Sequence, residues 1–213
     1  MIRINREKRA QFAALKREKT RARLVEVALR VIAEKGFDAP TIDDFIAAAG
    51  VARGTFYNYF KTREEILSAA AAFVADEVDA EILPLFADIE DPARRIAIAV
   101  RKFIAMSARR PDWGGLLVRM IPLAGGAVSA EMRRGVLFDL KAGLKSGRFR
   151  FPSMQAAVAL SMGTITLAIR ATIKDSTPTA FPEMIATMIL QGLGMSPAEA
   201  ARIAGKPLPV NAG

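Results

Sequence analysis

A chain of 213 residues, 52% of them hydrophobic, is long and apolar enough to bury a sizeable core, and its net charge of +9 marks it as basic. It contains neither cysteine nor histidine, which removes disulfides, thiolate zinc sites, the common nucleophile–histidine triads and most transition-metal sites. No catalytic residue, metal or cofactor is therefore expected, and an enzyme is disfavoured.

The charge is unevenly placed. Residues 1–23 hold nine Lys and Arg against Glu7 and Glu18, a balance of +7 that leaves +2 for the rest of the chain. Such a start invites a polyanion, nucleic acid before membrane; the alternative is a solubilising tail. The opening residues lack the apolar stretch of a secretory signal. The longest charge-free apolar run, residues 154–169, falls short of the roughly 20 residues a membrane span needs. A cytoplasmic protein with no membrane partner is expected.

Helical periodicity runs the length of the chain, without strand alternation. Residues 16–35 carry Leu24, Ala28, Val31 and Ile32 on one face and Glu26, Arg30 and Glu34 on the other, and Gly36 stands where a left-handed cap is wanted. Pro40, Thr41 and Asp44 predict a capped start to a short helix closed by Gly50, and a second short helix follows over 52–59. Thr62 and Glu65 open a long helix that Pro84 stops, with an expected core stripe of Ile66, Ala70, Phe73 and Val74 interrupted by Glu77. Asp91-Pro92 starts the next helix, with Ile96, Val100 and Phe103 inward, and it ends at Pro111. A short segment over 112–121 lies between Pro111 and Pro122. Gly125-Gly126 separates it from a helix over 129–146, and two more are expected over 153–174 and 182–193. Ser196, Pro197 and Glu199 cap a short terminal helix.

Within residues 41–61, Phe45, Ile46, Val51, Phe56 and Phe60 are spaced to pack the two short helices on each other and on the first long one. Ala47 and Ala48 are expected to let helices approach closely. The outward residues of the second short helix, Arg53, Gly54, Thr55, Tyr57, Asn58 and Tyr59, include no acid, whereas solvated faces elsewhere in this chain are rich in Lys and Glu. That face reads as a contact surface. Two short helices joined by a glycine turn and flanked by longer ones form a helix-turn-helix.

Thr41-Ile42, the run AAGVARGTFYNYFK from Ala48 to Lys61, and Glu64-Glu65-Ile66-Leu67, with Ala28, Ile32, Gly36 and Phe37 before them, resemble the DNA-binding signature of the TetR family over about residues 20–70. The remainder resembles that family in helix number, order and length. The resemblance implies that Thr41 contacts phosphate from a helix N-terminus, that Arg53 reaches a base edge, and that Gly54 lets the backbone approach a phosphate. It gives Thr55 and Tyr57 base, thymine-methyl or phosphate contacts, and makes Tyr59 and Lys61 phosphate anchors, with Arg63 a weaker candidate. Asn58 has two readings, a bidentate pairing with adenine or a solvated side chain. Arg3, Arg6, Lys8 and Arg9 are expected to add phosphate or minor-groove contacts.

The expected organisation is all-α, with about nine to ten helices. It comprises a basic arm (1–15), a three-helix DNA-binding domain containing the helix-turn-helix (16–63), and a helical effector-binding and dimerisation domain (64–213). Residues 153–174 are apolar on two sides. Val158, Met162, Ile165, Ile169 and Ile173 form one stripe; Ala159, Gly163 and Thr166 form a small-residue face, with Met184, Met188 and Leu193 alongside. The helix is either central to a monomer or shared with a second subunit, and the resemblance implies a homodimer through the last two long helices. Arg170 crosses that interface, lines a pocket or sits where the helix emerges. Phe103, Met106, Trp113, Leu117, Met120, Leu137 and Phe138 are either plain core or the lining of an effector pocket. A ligand there would be small and apolar or aromatic, and Arg101 and Arg119 leave room for an anionic one.

The expected function is a repressor, dimeric on a palindromic operator of double-stranded DNA and released by a small effector. The rivals are a helical small-molecule-binding protein and an activating or effectorless DNA-binding regulator.

Overall fold

The computed structural model describes residues 2–36, 38–123 and 130–209. Among them it contains ten α-helices and one 3-10 helix and no strand, so the all-α expectation holds. Phe37 and the Gly125-Gly126 separator lie outside the described residues. The chain divides into two compact units between Phe73 and Val74, ten residues beyond the predicted boundary and inside a helix.

The first unit begins with α1 (Ile2–Lys35), a single helix that takes in the expected arm as well as residues 16–35. Residues 8–19 of it are exposed, and its second half is buried through Leu24, Val25, Val27, Ala28, Val31 and Ile32. Gly36 ends it at φ 79°, the left-handed cap that a glycine adopts without a Cβ clash. The helix α2 (Ile42–Ala49) starts from a complete capping box, in which Thr41 Oγ accepts from the Asp44 N–H and the Asp44 carboxylate accepts from the Thr41 N–H. α2 buries Phe45 and Ala49, while Ala47 and Ala48 are exposed. The residue that permits close approach is therefore Ala49, because a spacing of four from the Phe45 anchor sets the inward phase.

Gly50 turns the chain at φ 62°, and its N–H bonds the carbonyls of Ile46 and Ala47. α3 (Arg53–Tyr57) follows, shorter than the predicted 52–59, and is pinned by Phe56 with Phe60 just beyond it. α4 (Arg63–Ile82) opens with the Glu65 N–H donating to Thr62 Oγ and the Glu65 carboxylate accepting from the Lys61 N–H. It buries Ile66, Leu67, Ala70, Ala71, Val74, Ala75, Val78 and Ile82. Glu77 is exposed and Phe73 half-buried, so the predicted interruption dissolves: the stripe passes beside Glu77, not through it.

In the second unit Pro84 converts the end of α4 into a 3-10 turn, η1 (Leu83–Phe86), where a missing backbone donor costs little. α5 (Pro92–Arg109) is the central helix. It is N-capped by Asp91 and packs against α6 (Pro111–Leu123), α7 (Ala130–Lys145), α8 (Met154–Lys174), α9 (Phe181–Gly192) and α10 (Pro197–Ala204). Ile96, Val100, Ile104, Leu140, Phe149, Ile189, Leu190, Leu193 and Ile203 share one core. Burial of each large side chain contributes about 1.5–3 kcal/mol. Leu193 was expected beside the small-residue face of α8; it belongs to this core because the turn after α9 folds back, with Arg150 N–H bonding the Leu193 carbonyl at 2.8 Å.

Charged ties close the second unit. Arg148 bridges Asp91 and Glu199. Arg101 bonds Glu183 and the carbonyls of Ala204 and Lys206, which fixes the C-terminal segment to α5.

Candidate nucleic-acid interface and cavity

The two short helices present a compact polar surface. Arg53, Gly54, Thr55, Asn58 and Lys61 are exposed; Tyr57 and Tyr59 are half-buried, each ring partly packed and partly open. Tyr57 stands edge-on to buried Phe56 at 6.0 Å, which limits its motion, and Tyr59 lies past the end of α3. A Cβ placed on Gly54 meets nothing within 4 Å, so the surface there is open. Lys61 folds its ammonium onto the Tyr57 carbonyl.

Two contacts were not visible in the sequence, and a third, at Thr41, is the predicted cap. Arg53 pairs with Asp43 of α2, so its guanidinium is held by an acid ten residues back. Arg63 donates to the Pro40 carbonyl at 2.8 Å and to that of Asp38, which ties α4 to the start of α2 rather than leaving it for phosphate. Thr41 Oγ is likewise committed, accepting from the Asp44 N–H and donating to the Asp44 carboxylate. A phosphate at this helix start would meet backbone N–H groups, not a spare hydroxyl. The Lys35 ammonium, then the Thr41 N–H and hydroxyl, hold the Asp44 carboxyl well below the usual carboxylate range.

Basic residues of α1 flank this surface. The Arg17 guanidinium lies 5.9 Å from the Tyr59 ring centroid, and that of Arg21 lies 5.3 Å from the Phe60 ring. Arg23 donates to the Ala49 carbonyl at 3.3 Å. Cations of α1 therefore stand beside the surface that carries Tyr57, Asn58 and Tyr59.

The second unit contains a cavity of about 80 Å³ between α4, η1, α5, α7 and α8. Its walls are mostly apolar, with Ile82, Leu83, Phe86, Ile96, Val100, Phe103, Val136 and Ile165, but Asp79, Arg95, Asp139 and Ser161 also face it. Arg95 Nε donates to Asp139 Oδ1 at 2.6 Å, and its guanidinium lies 4.5 Å from the Phe86 ring and 5.5 Å from the Phe138 ring. Burial pushes the Asp139 carboxyl above its ordinary value, and the Arg95 charge only partly opposes that.

Of the residues suggested for a pocket whose side chains are described, Phe103 alone lines this cavity. Met106 and Leu117 are buried, Trp113 and Leu137 are half-buried, and Phe138 is 62% exposed. Trp113 carries the Arg110 guanidinium 3.8 Å from its ring centroid. The side chains of Met120 and Arg119 lie outside the described residues. Among the described residues the cation that lines the cavity is Arg95, and Arg101 is engaged with Glu183 and the C-terminal carbonyls.

On α8 the exposed residues Leu160, Gly163, Leu167 and Arg170 form a stripe at helical spacing, and Met184, Met188 and Gln191 form another on α9. Leu167 is 66% exposed and Met188 59%. The whole of α8, unlike its charge-free part alone, is long and apolar enough to cross a membrane. Ala157, Ser161, Ala168 and Ile169 nonetheless commit one side of it to the core of the second unit.

Known proteins match both units. A family model described as tetracyclin repressor-like, C-terminal domain, matches residues 91–206, and one described as bacterial regulatory proteins, tetR family, matches residues 24–70. The crystal structure of RolR in complex with the ligand resorcinol superposes with a TM-score of 0.71 at 32% identity, covering 92% of this chain and 98% of that one. The HTH-type transcriptional regulator EthR of Mycolicibacterium smegmatis is 23% identical over 188 residues, 77% of this chain and 79% of that protein. The HTH-type regulator YvdT of Bacillus subtilis is 41% identical over 49 residues, 23% of this chain. The first curated relatives are matched over only 18–59% of their own length. With more than half of the chain inside one family model and the helix-turn-helix inside the other, the chain belongs to the TetR family of DNA-binding transcriptional regulators.

Proposed function

We propose that the protein is a cytoplasmic homodimeric repressor that binds a palindromic operator and lets go when a small, hydroxylated aromatic effector enters the cavity of the second unit. The observation that carries this reading is the Arg95–Asp139 pair set in a mostly apolar wall. An apolar cavity suits a ring, and a few convergent polar groups fix its orientation. The Asp139 carboxylate can accept from a hydroxyl, and the Arg95 guanidinium keeps further N–H donors for an oxygen. That RolR is titled as a complex with resorcinol supports the same ligand class.

The lever in this reading is α4. Asp79 and Ile82 line the cavity, while the N-terminal half of the same helix belongs to the DNA-binding unit. An effector acts only through its differential affinity for two states. The states proposed here differ in the spacing of the two recognition helices. The uncovered stripes of α8 and α9 support the dimer, because Leu160, Leu167, Met184 and Met188 are large apolar side chains that a second copy would bury. In this reading Arg53, Thr55, Tyr57 and Asn58 read bases, and Tyr59, Lys61 and the backbone at Thr41 and Gly54 anchor phosphates.

Fluorescence anisotropy of the operator complex tests the effector reading. Simple phenols, resorcinol among them, are expected to release the DNA. Asp139→Asn should weaken the releasing phenol about tenfold, the scale of a lost hydrogen bond to a charged group, and leave operator affinity unchanged. If no phenol binds or releases, the effector class is wrong.

A further inference from the structure

We propose that the N-terminal part of α1, residues 2–19, is a second DNA-binding element that engages phosphates flanking the operator half-site read by α3; this rests on the DNA-binding reading of the helix-turn-helix. Residues 8–19 are exposed, so this stretch of helix is not explained by packing. Over residues 2–19 the sequence places Arg3, Arg6, Lys8, Arg9, Lys16, Arg17 and Lys19 against Glu7 and Glu18. Like charges also recur at helical spacing, with Arg17 four residues before Arg21 and Lys19 four before Arg23. Such pairs destabilise a solvated helix. A row of cations that weakens its own helix is relieved by a row of anions.

Position identifies which polyanion. Arg17 reaches the Asn58 carbonyl at 3.5 Å and lies against the Tyr59 ring, so the basic stretch of α1 adjoins the C-terminal end of the recognition segment. From there the 14 residues before Lys16 extend about 21 Å, several phosphate steps along a duplex. A membrane surface fits less well. Among residues 8–19 the large apolar side chains exposed are Phe12 and Leu15, and they share their face with Lys8 and Lys19, whereas an interfacial helix segregates a broad apolar face from its charges.

The test compares the full chain, the deletion of residues 2–15, and the helix-compatible variant K8Q/R9Q/K16Q/K19Q on two duplexes carrying the footprinted operator, one trimmed to its core and one with flanks. On the flanked duplex the slope of log affinity against log salt should become shallower by about 2 or more, since each lost phosphate contact removes about 0.9 and a dimer loses one on each protomer. On the trimmed duplex the three proteins should differ little. Equal slopes on the flanked duplex overturn the proposal while leaving operator binding intact. Binding of the full chain to anionic vesicles that the glutamine variant abolishes, with operator slopes unchanged, also overturns it. A full chain that binds no duplex at all removes the DNA-binding reading together with this one.

Discussion

Arg53 is engaged with Asp43, so in the proposed readout a base edge would have to compete with that carboxylate. Arg53→Ala is expected to cost about 1–3 kcal/mol of operator affinity and to relax specificity at one base pair. Asp43→Asn is expected to act the other way, tightening operator binding by up to about fivefold, because an exposed ion pair is worth ~0.2–1 kcal/mol. Competition binding against operators mutated one position at a time measures both. Asp44 gives a pH dependence of folding. Its folded-state carboxyl is held below the ordinary 3.8 by Lys35 and Thr41, so its contribution is complete above about pH 4 and is lost as pH falls through the lowered value. Chemical denaturation should therefore show the wild type ahead of Asp44→Asn by a constant margin from pH 5 to 8, with the margin shrinking below pH 4. A margin that grows on acidification would contradict the assignment. The Asp43–Arg53 contact was hidden in the sequence because the two residues sit on different helices, and only the turn at Gly50 brings them together.

At the scale of elements, what the sequence revealed was local. The capping box at Thr41 and Asp44, the glycine at 50 and the stop before Pro84 each rest on residues within four positions of one another, and each stands where the local chemistry predicts it. Helical phase was less legible. Ala47 and Ala48 look as able to face a neighbour as Ala49 until Phe45 fixes the orientation of α2, and the α4 stripe divides around Glu77 in a way that no short window predicts. The cavity was least legible, since Asp79, Arg95, Asp139 and Ser161 come from four helices and carry no common motif. Aromatic and methionine content found Phe103 in the lining, but it pointed as well to Met106 and Leu117, buried outside the cavity wall, and to Phe138, which is exposed. The turn offers the sharpest element-scale test. Gly50 holds φ 62°, so Gly50→Ala must place a Cβ in a left-handed conformation, at a cost of about 1–2 kcal/mol. Urea unfolding would detect the loss, and Gly54→Ala, at an open position with ordinary φ, should not reproduce it.

At the scale of the molecule, one chain leaves the α8 and α9 stripes uncovered, and their side chains set the expected assembly. Leu167→Glu places a charge in the middle of the proposed interface without touching the core of the second unit, because Leu167 is 66% exposed. Sedimentation should find this variant monomeric with its helical content intact, and operator affinity should fall steeply, since a monomer holds one half-site. A dimer that survives the substitution would move the interface elsewhere. The ties of Arg101 to Glu183 and of Arg148 to Asp91 and Glu199 use none of the stripe side chains, so the fold of the second unit should persist when the stripes are mutated.

The most direct test of the whole account is footprinting of the protein on the DNA upstream of its own coding sequence, repeated across a salt series. One protected palindrome is expected, with half-site centres about 34–36 Å apart or a multiple of that, whose protection weakens steeply as salt rises. Protection spread without sequence preference, or none at any salt, would contradict it.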